Sequence, residues 1–382
     1  MPVSVSPISR SEYEARRKRL AESCQRADLK GALVWSRQGT ASDRAGYALY
    51  LANYYTEFFF LNDFPPHWAC RGHSAAVVPA QGEAALVKDC RYYEAEQVAW
   101  AIDDVRQDFN LDRAIVATLL EKGLDRGRVG VIGSEVAPWI HFQEIQRALP
   151  RVEWVPADDL LVDQMLVKSE AELDIIRQGC AIVSDVTDEV LEAAEPGVSE
   201  VELVGRMASG LAERGAQLGW MRPNRPRRLE RGDLYPMAVI GWCQGYFFDV
   251  SRSKVVGGKP TPQQARLLDL LKEFVLRQVE ELRPGRTASE AAQFGYRYFI
   301  DEKKELTREQ IEAGVLGEYA CFGHGLGLIW SKPNLREGDE TVLRTGMYLA
   351  VEAVYPKPGV GKAEAEVNVE ITEAGPRVLT RL

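Results

Sequence analysis

Histidine is scarce in this chain: four in 382 residues, at positions 67, 73, 141 and 324. Chemistry that needs imidazole therefore rests on very few side chains. The six cysteines (Cys24, Cys70, Cys90, Cys180, Cys243 and Cys321) make no C-x-x-C pair and no dense framework. That argues against a disulfide scaffold and fits reduced thiols in a cytoplasm. No apolar run reaches the roughly 18 residues needed to span a bilayer. The opening MPVSVSPISR lacks an apolar signal core, so no export signal is read and a cytoplasmic location is expected. The first half holds no G-x-G-x-x-G, P-loop or nucleophile-elbow pattern. Basic residues are the minority, 47 against 56 acidic, for a net charge of −9. This balance argues against a nucleic-acid surface and against an anionic membrane face.

The length suffices for two domains with sizeable cores. Ser11 is read as the cap of a helix to about Ala27, followed by a buried strand at Gly31–Trp35. Residues 36–66 are loop-rich and aromatic (Tyr47, Tyr50, Tyr54, Tyr55, Phe58, Phe59, Phe60), either a packed satellite of the core or an interface patch. Strands are expected at Ser74–Pro79, Ala84–Lys88, Val129–Gly133 and Val152–Val155, with helices at Leu111–Lys122 and Ile140–Leu149. Alternating strands and helices make residues 1–160 an α/β domain. His67 and His73 read as structural.

After a link at Pro156–Lys168, Ser169 and Glu172 form a capping box that opens a long amphipathic helix. It stops at Pro196-Gly197. Ser199 and Glu202 cap a second helix, and strand-like runs follow at Leu234–Ile240 and Gly245–Val256. The pattern then recurs: a helix from Pro262 to Leu282, Pro284-Gly285, a capping box at Thr287 and Glu290, a helix to about Glu302, and more strands. Residues 161–382 thus read as a duplicated αα-β unit whose two β-halves bury against each other.

Two carboxylates fall inside the most apolar of these strands. Glu352 lies among Val351, Ala353 and Val354, and Glu366 precedes Val367, Val369 and Ile371. An ionised carboxylate buried in an apolar strand costs several kcal/mol unless something cationic pairs with it. Asp249 and His324 sit in similar runs, so one shared site is expected.

Five segments in order resemble the "pita-bread" superfamily of peptidase family M24, which includes methionine aminopeptidase, prolidase, aminopeptidase P, creatinase and ectoine hydrolase. They are LLVDQMLVKSEAELDIIRQGCAI, RGDLYPMAVIGWCQGYFFDVSRS, FGHGLGL, GMYLAVEAVY and EVNVEITEAGPRVLT. The resemblance covers about residues 155–382, and the first half is similar, more loosely, to the creatinase-type N-terminal domain. It implies an α/β creatinase-like domain at 1–160 and a pita-bread catalytic domain at 161–382. It also implies a metal site of Asp249, His324, Glu352 and Glu366. The family's first ligand aspartate is missing, since Ala238 stands in its place. The resemblance then leaves two cases open: one divalent ion (Mn, Fe or Zn), or no metal, with the carboxylates as acid, base or nucleophile. The proton-handling histidines of the proline-processing members are absent as well. Ser331 occupies one such position, and the stretch before the Asp249 hairpin carries Arg222, Arg225, Arg227 and Arg228 instead.

The expected function is a hydrolase acting on a C–N bond of a small polar or carboxylated molecule, as creatinase or ectoine hydrolase do. The alternatives are an Xaa-Pro peptidase with one metal, a small-molecule lyase, and a non-catalytic binding module. His324, Glu352, Glu366 and Asp249 are the candidate catalytic residues. The four arginines, Trp242 and Ser331 are the candidate substrate contacts, with Trp220 and Trp330 as further pocket walls. Cys321 is read as structural. The expected partners are a small-molecule substrate and a second copy of the chain, since relatives are commonly dimers.

Overall fold

The computed structural model describes residues 8–37, 46–55, 61–89, 100–317 and 320–382. The chain divides into two compact units between Met165 and Leu166. Among the described residues no helix is long and apolar enough to cross a membrane.

The first unit holds a six-stranded mixed sheet. Its strands are β1 (Gly31–Arg37), β2 (His73–Pro79), β3 (Ala85–Lys88), β4 (Asp104–Gln107), β5 (Gly127–Ile132) and β6 (Val152–Pro156), in the order β4-β3-β2-β1-β5-β6. The helices are α1 (Arg10–Arg26), α2 (Gly46–Ala52), α3 (Leu111–Glu121), α4 (Trp139–Ala148) and α5 (Asp159–Met165). Both faces of the central strands are covered: β2 is buried along its whole length, and its middle, Ala75–Val78, is an unbroken apolar run. Ser9, not Ser11, caps α1, accepting from the Glu12 amide.

Two departures here have packing causes. The loop-rich aromatic stretch contains α2, because Tyr47, Tyr50 and Tyr54 bury themselves against the sheet. The Arg16 guanidinium lies 4.2 Å above the Tyr50 ring. These tyrosines belong to the core, and Phe58, Phe59 and Phe60 lie outside the described residues. The expected link contains α5, which buries Leu161 and Met165. His73 is structural: buried, it accepts a hydrogen bond from Trp35 Nε1 at 3.0 Å, and burial pushes its pKa down to about 3.

The second unit carries the duplication. In its first half α6 (Glu170–Ala193) and α7 (Glu200–Glu213) precede β7 (Gln217–Arg222), β8 (Leu234–Cys243) and β9 (Tyr246–Val255). In its second half α8 (Pro262–Glu280), α9 (Ala288–Tyr296), a π-helical turn (Arg297–Glu302) and α10 (Arg308–Glu312) precede β10 (Gly323–Gly325), β11 (Ser331–Asn334), β12 (Tyr348–Lys357), β13 (Gly361–Thr372) and β14 (Gly375–Val378). The repeat is visible in the backbone ladders. Gly197 donates to Leu229 O and Leu229 returns to Val198 O, both at 2.8 Å. In the same way Gly285 donates to Leu343 O at 2.9 Å and Leu343 to Arg286 O at 2.8 Å. Gly197 and Gly285 both take φ of +91° to make the turn, a conformation glycine adopts without a Cβ penalty.

The halves merge into one antiparallel sheet, β11-β10-β12-β13-β9-β8-β7, with β14 pairing β13. Alternation decides its faces. Val351, Ala353, Ala365 and Val367 point into a core with Leu267, Leu271 and Phe274 of α8. The residues between them, Glu352 and Glu366, point the other way.

Candidate active site

Strand register builds the site. Across one face runs a row of directly paired residues on five strands: Arg222, Ala238, Ser251, Glu366 and Glu352. Asp249 lies two residues from Ser251, hence on the same face of β9. His324 enters from β10, which is wedged between β11 and β12. Only glycine fits on either side of it. A Cβ at Gly323, whose φ is +152°, would lie 2.2 Å from Ala350 O, and one at Gly325 would lie 2.4 Å from Lys332 O.

Asp249, His324 and Glu366 each offer a ligand atom, and these atoms lie within 4.8 Å of one another. His324 Nε2 is 3.7 Å from Asp249 Oδ2 and 3.9 Å from Glu352 Oε1. Asp249 and Glu366 are buried, whereas the Glu352 side chain is 24 % exposed and forms the open side of the group. Ser251 Oγ donates to Glu366 Oε2 at 2.8 Å. Asn368 fixes Asp249 from behind: its amide donates to Asp249 O at 2.6 Å, and its carbonyl oxygen accepts from Asp249 N at 3.1 Å. This side chain closes the ladder where β9 and β13 share backbone register only at Ser251 and Glu366.

The electrostatics follow from burial. Asp249 is raised well above the carboxylate range, first by burial and then by the charge of Glu352. Glu366 is raised likewise, by burial and then by Asp249 and Glu352. Burial pushes His324 down to about 4. Three carboxylates this close do not all ionise without a cation among them. Glu366 Oε1 is buried and has no hydrogen-bond partner. An unpartnered buried oxygen next to an imidazole nitrogen and a second carboxylate fits one divalent ion, and the donor set of oxygens with one nitrogen suits Mn, Fe or Zn. Ala238 offers no donor.

The group opens into a pocket of about 690 Å³. Its walls include Trp220, Arg222, Ala238, Trp330, Asn334, Arg336, Val354 and Lys362. Trp330 Nε1 faces the His324 ring, 3.1 Å from Nε2. Cys321 is also at the wall, but its thiol donates to Gly323 O at 2.7 Å and burial pushes its pKa up to about 11. It is held as a neutral structural thiol.

Of the expected substrate contacts, Arg222 alone reaches this pocket. Arg225 is held by the buried Glu200, bidentate at 2.9 and 3.0 Å. Arg227 pairs with Asp233, and Arg228 donates to Gly197 O at 2.6 Å. These three arginines staple the loop to the start of α7. Trp242 is buried edge-on to Phe247, ring centres 5.9 Å apart, and bonds to Gln217. Ser331 Oγ donates to Lys332 O at 3.1 Å and is not among the pocket walls. The sequence reading missed Arg336 and Lys362. Lys362 was within reach, because positions 362, 364 and 366 share one face of a strand.

Comparison with known proteins agrees with this architecture. Residues 174–373 match the model for metallopeptidase family M24, and residues 16–165 match the creatinase/prolidase N-terminal domain. An Xaa-Pro dipeptidase of Pyrococcus horikoshii is 28% identical over 261 residues, 64% of this chain and 71% of the relative. A creatinase of Bacillus sp. is 25% identical over 307 residues, 70% of each. Among solved structures, the prolidase from Pyrococcus horikoshii OT3 superposes with a TM-score of 0.78 at 21% identity, covering 96% of this chain and 98% of that one.

Proposed function

Because the chain belongs to metallopeptidase family M24 and is a hydrolase, we propose that it cleaves the amide bond of a small, carboxylate-bearing substrate of the Xaa-Pro dipeptide class, using a single divalent ion. The observation that carries this reading is the buried, unpartnered Glu366 Oε1 beside Asp249 and His324. The expectation of a creatinase-like substrate gives way to the peptidase alternative, since curated relatives that match well are Xaa-Pro dipeptidases.

Asp249, His324, Glu352 and Glu366 would hold the ion. When bound it would polarise the scissile carbonyl and acidify a water. The chain's own groups supply the rest. Glu352, the carboxylate most open to the pocket, is placed to take the water's proton on Oε1 and return it to the leaving nitrogen. Trp220 and Trp330, 46 % and 40 % exposed, wall the substrate and exclude water from the reacting bond. Arg336 is the anchor for the substrate carboxylate: it lines the pocket, and among the described residues its side chain makes no hydrogen bond or ion pair.

A second reading keeps one specific observation in its favour. The stretch Gly219–Asp233 has no histidine, and Ser331 stands where a proton-handling histidine is expected. That pattern suits a small amidine or cyclic C–N substrate, and a creatinase is among the relatives.

The test uses full-length protein stripped with chelator and reloaded with Mn²⁺. A panel of Xaa-Pro dipeptides should be hydrolysed only after reloading. Turnover of creatine or a cyclic amidine, with every Xaa-Pro dipeptide left intact, would transfer the assignment to the second reading.

A further inference from the structure

The row of side chains across the sheet ends in a cation. Arg222, the last residue of β7, stands directly opposite Ala238 on β8, and Ala238 opposite Ser251. The Arg222 guanidinium lies 5.2 Å from the centre of the Trp220 ring and 3.4 Å from Glu364 Oε1. Glu364 is buried and takes a second cation as well, the ammonium of Lys362. One carboxylate thus holds two positive side chains, leaving a surplus of one positive charge at this end of the pocket. Arg222 Nε is buried without a hydrogen-bond partner.

We propose that Arg222 is a resident cation of this site, which limits it to one divalent ion and neutralises the charge that the ion leaves unbalanced. This deepens the one-ion reading above and rests on it. Asp249, Glu352 and Glu366 carry three negative charges. A dication with the surplus charge of the Arg222–Glu364–Lys362 group balances them. A second dication would meet the like charge of the guanidinium, with no donor from Ala238 to offset it. The guanidinium is suited to this place because its planar fork can face the Trp220 ring and Glu364 at once.

The test is ion stoichiometry and affinity, measured by Mn²⁺ titration of the chelator-stripped full-length chain. The parent should bind one Mn²⁺. Ala238→Asp alone should still bind one, because the new carboxylate pairs with Arg222 across the strands. Ala238→Asp combined with Arg222→Met should bind two, whereas Ala238→Asp with Arg222→Lys, which restores the charge, should return to one. Arg222→Met alone should bind its single Mn²⁺ roughly ten-fold more tightly, since a repelling charge is gone. Thermal melts of each variant confirm that the sheet is intact. Two ions in Ala238→Asp with Arg222 present, or one ion in the double variant, would overturn the proposal while leaving the one-ion reading in place. No Mn²⁺ bound to the parent would overturn both.

Discussion

Glu352 and Glu366 stand directly opposite each other on the antiparallel pair β12 and β13. Like charges in direct cross-strand register destabilise a sheet, and here one partner is buried. Without a cation the pair keeps a proton that an isolated carboxylate would lose, and holding it at neutral pH costs stability. Glu366→Gln removes the ionisable group at nearly constant shape. In metal-free protein it should raise stability by about 1 kcal/mol, read as a higher denaturant midpoint, and lower turnover of the reloaded enzyme about 100-fold or more. A variant less stable than the metal-free parent would show that the repulsion is already relieved by another group.

Ion binding should appear in the melting temperature as well as in activity. An ion that binds only the folded chain stabilises it by about 2.7 kcal/mol at a concentration 100 times its dissociation constant. Titrating Mn²⁺ into chelator-stripped protein should move the melting transition upward. In Glu366→Gln the shift should shrink strongly. Equal shifts in both proteins would remove Glu366 from the ion's neighbours.

Why some of this was legible in the sequence is clear from individual residues. Asp249, Glu352 and Glu366 stand out because charge inside an apolar strand is costly and needs a reason. The duplication is legible in two Pro-Gly stops followed by capped helices, and both proved to be the same backbone ladder. The cross-strand row was not legible. The partner of Glu366 on β9, Ser251, is set by pairing between segments more than 100 residues apart, which no local pattern encodes. The arginine cluster misled for a similar reason. Arg222 differs from Arg225, Arg227 and Arg228 only in what the fold brings up to each, Glu364 in the first case and Glu200, Asp233 or Gly197 in the others. Strand β7 was missed because its six residues contain Gly219, where a Cβ would lie 2.6 Å from the Trp242 ring, and a register shift beside it.

Asn368 is the positioning residue that sequence reading passed over. Its amide spans Asp249 N and O, and its carbonyl oxygen also accepts from Tyr348 Oη at 2.9 Å. Asn368→Ala would leave the buried N–H and C=O of Asp249 short of a partner, at a cost of about 2–4 kcal/mol, whereas Tyr348 Oη keeps Phe247 O at 3.1 Å. Beyond that loss, Asp249 would no longer be held in place, so Mn²⁺ affinity should fall about ten-fold or more even where the variant is fully folded. Unchanged affinity in a destabilised variant would reduce Asn368 to a purely structural role.

The first unit carries its own pH dependence at His141. Both ring nitrogens face carboxylates, Nε2 at 3.0 Å from Asp63 and Nδ1 at 3.2 Å from Asp112. Burial is the largest single influence and pushes the imidazole pKa down, but Asp112 and Asp63 together outweigh it, and the net shift is upward. A group whose folded pKa is raised adds stability that is complete below its unfolded pKa of about 6.5, and that fades as pH rises through the folded value. His141→Gln should therefore lower the melting temperature of the first unit most at about pH 5.5, by roughly 2–4 °C for each kcal/mol lost, and progressively less above about pH 7. Melting curves of parent and variant across that range make the comparison. A difference that grows with pH would mean instead that the folded pKa of His141 lies below its unfolded value, the imidazole being held neutral by burial.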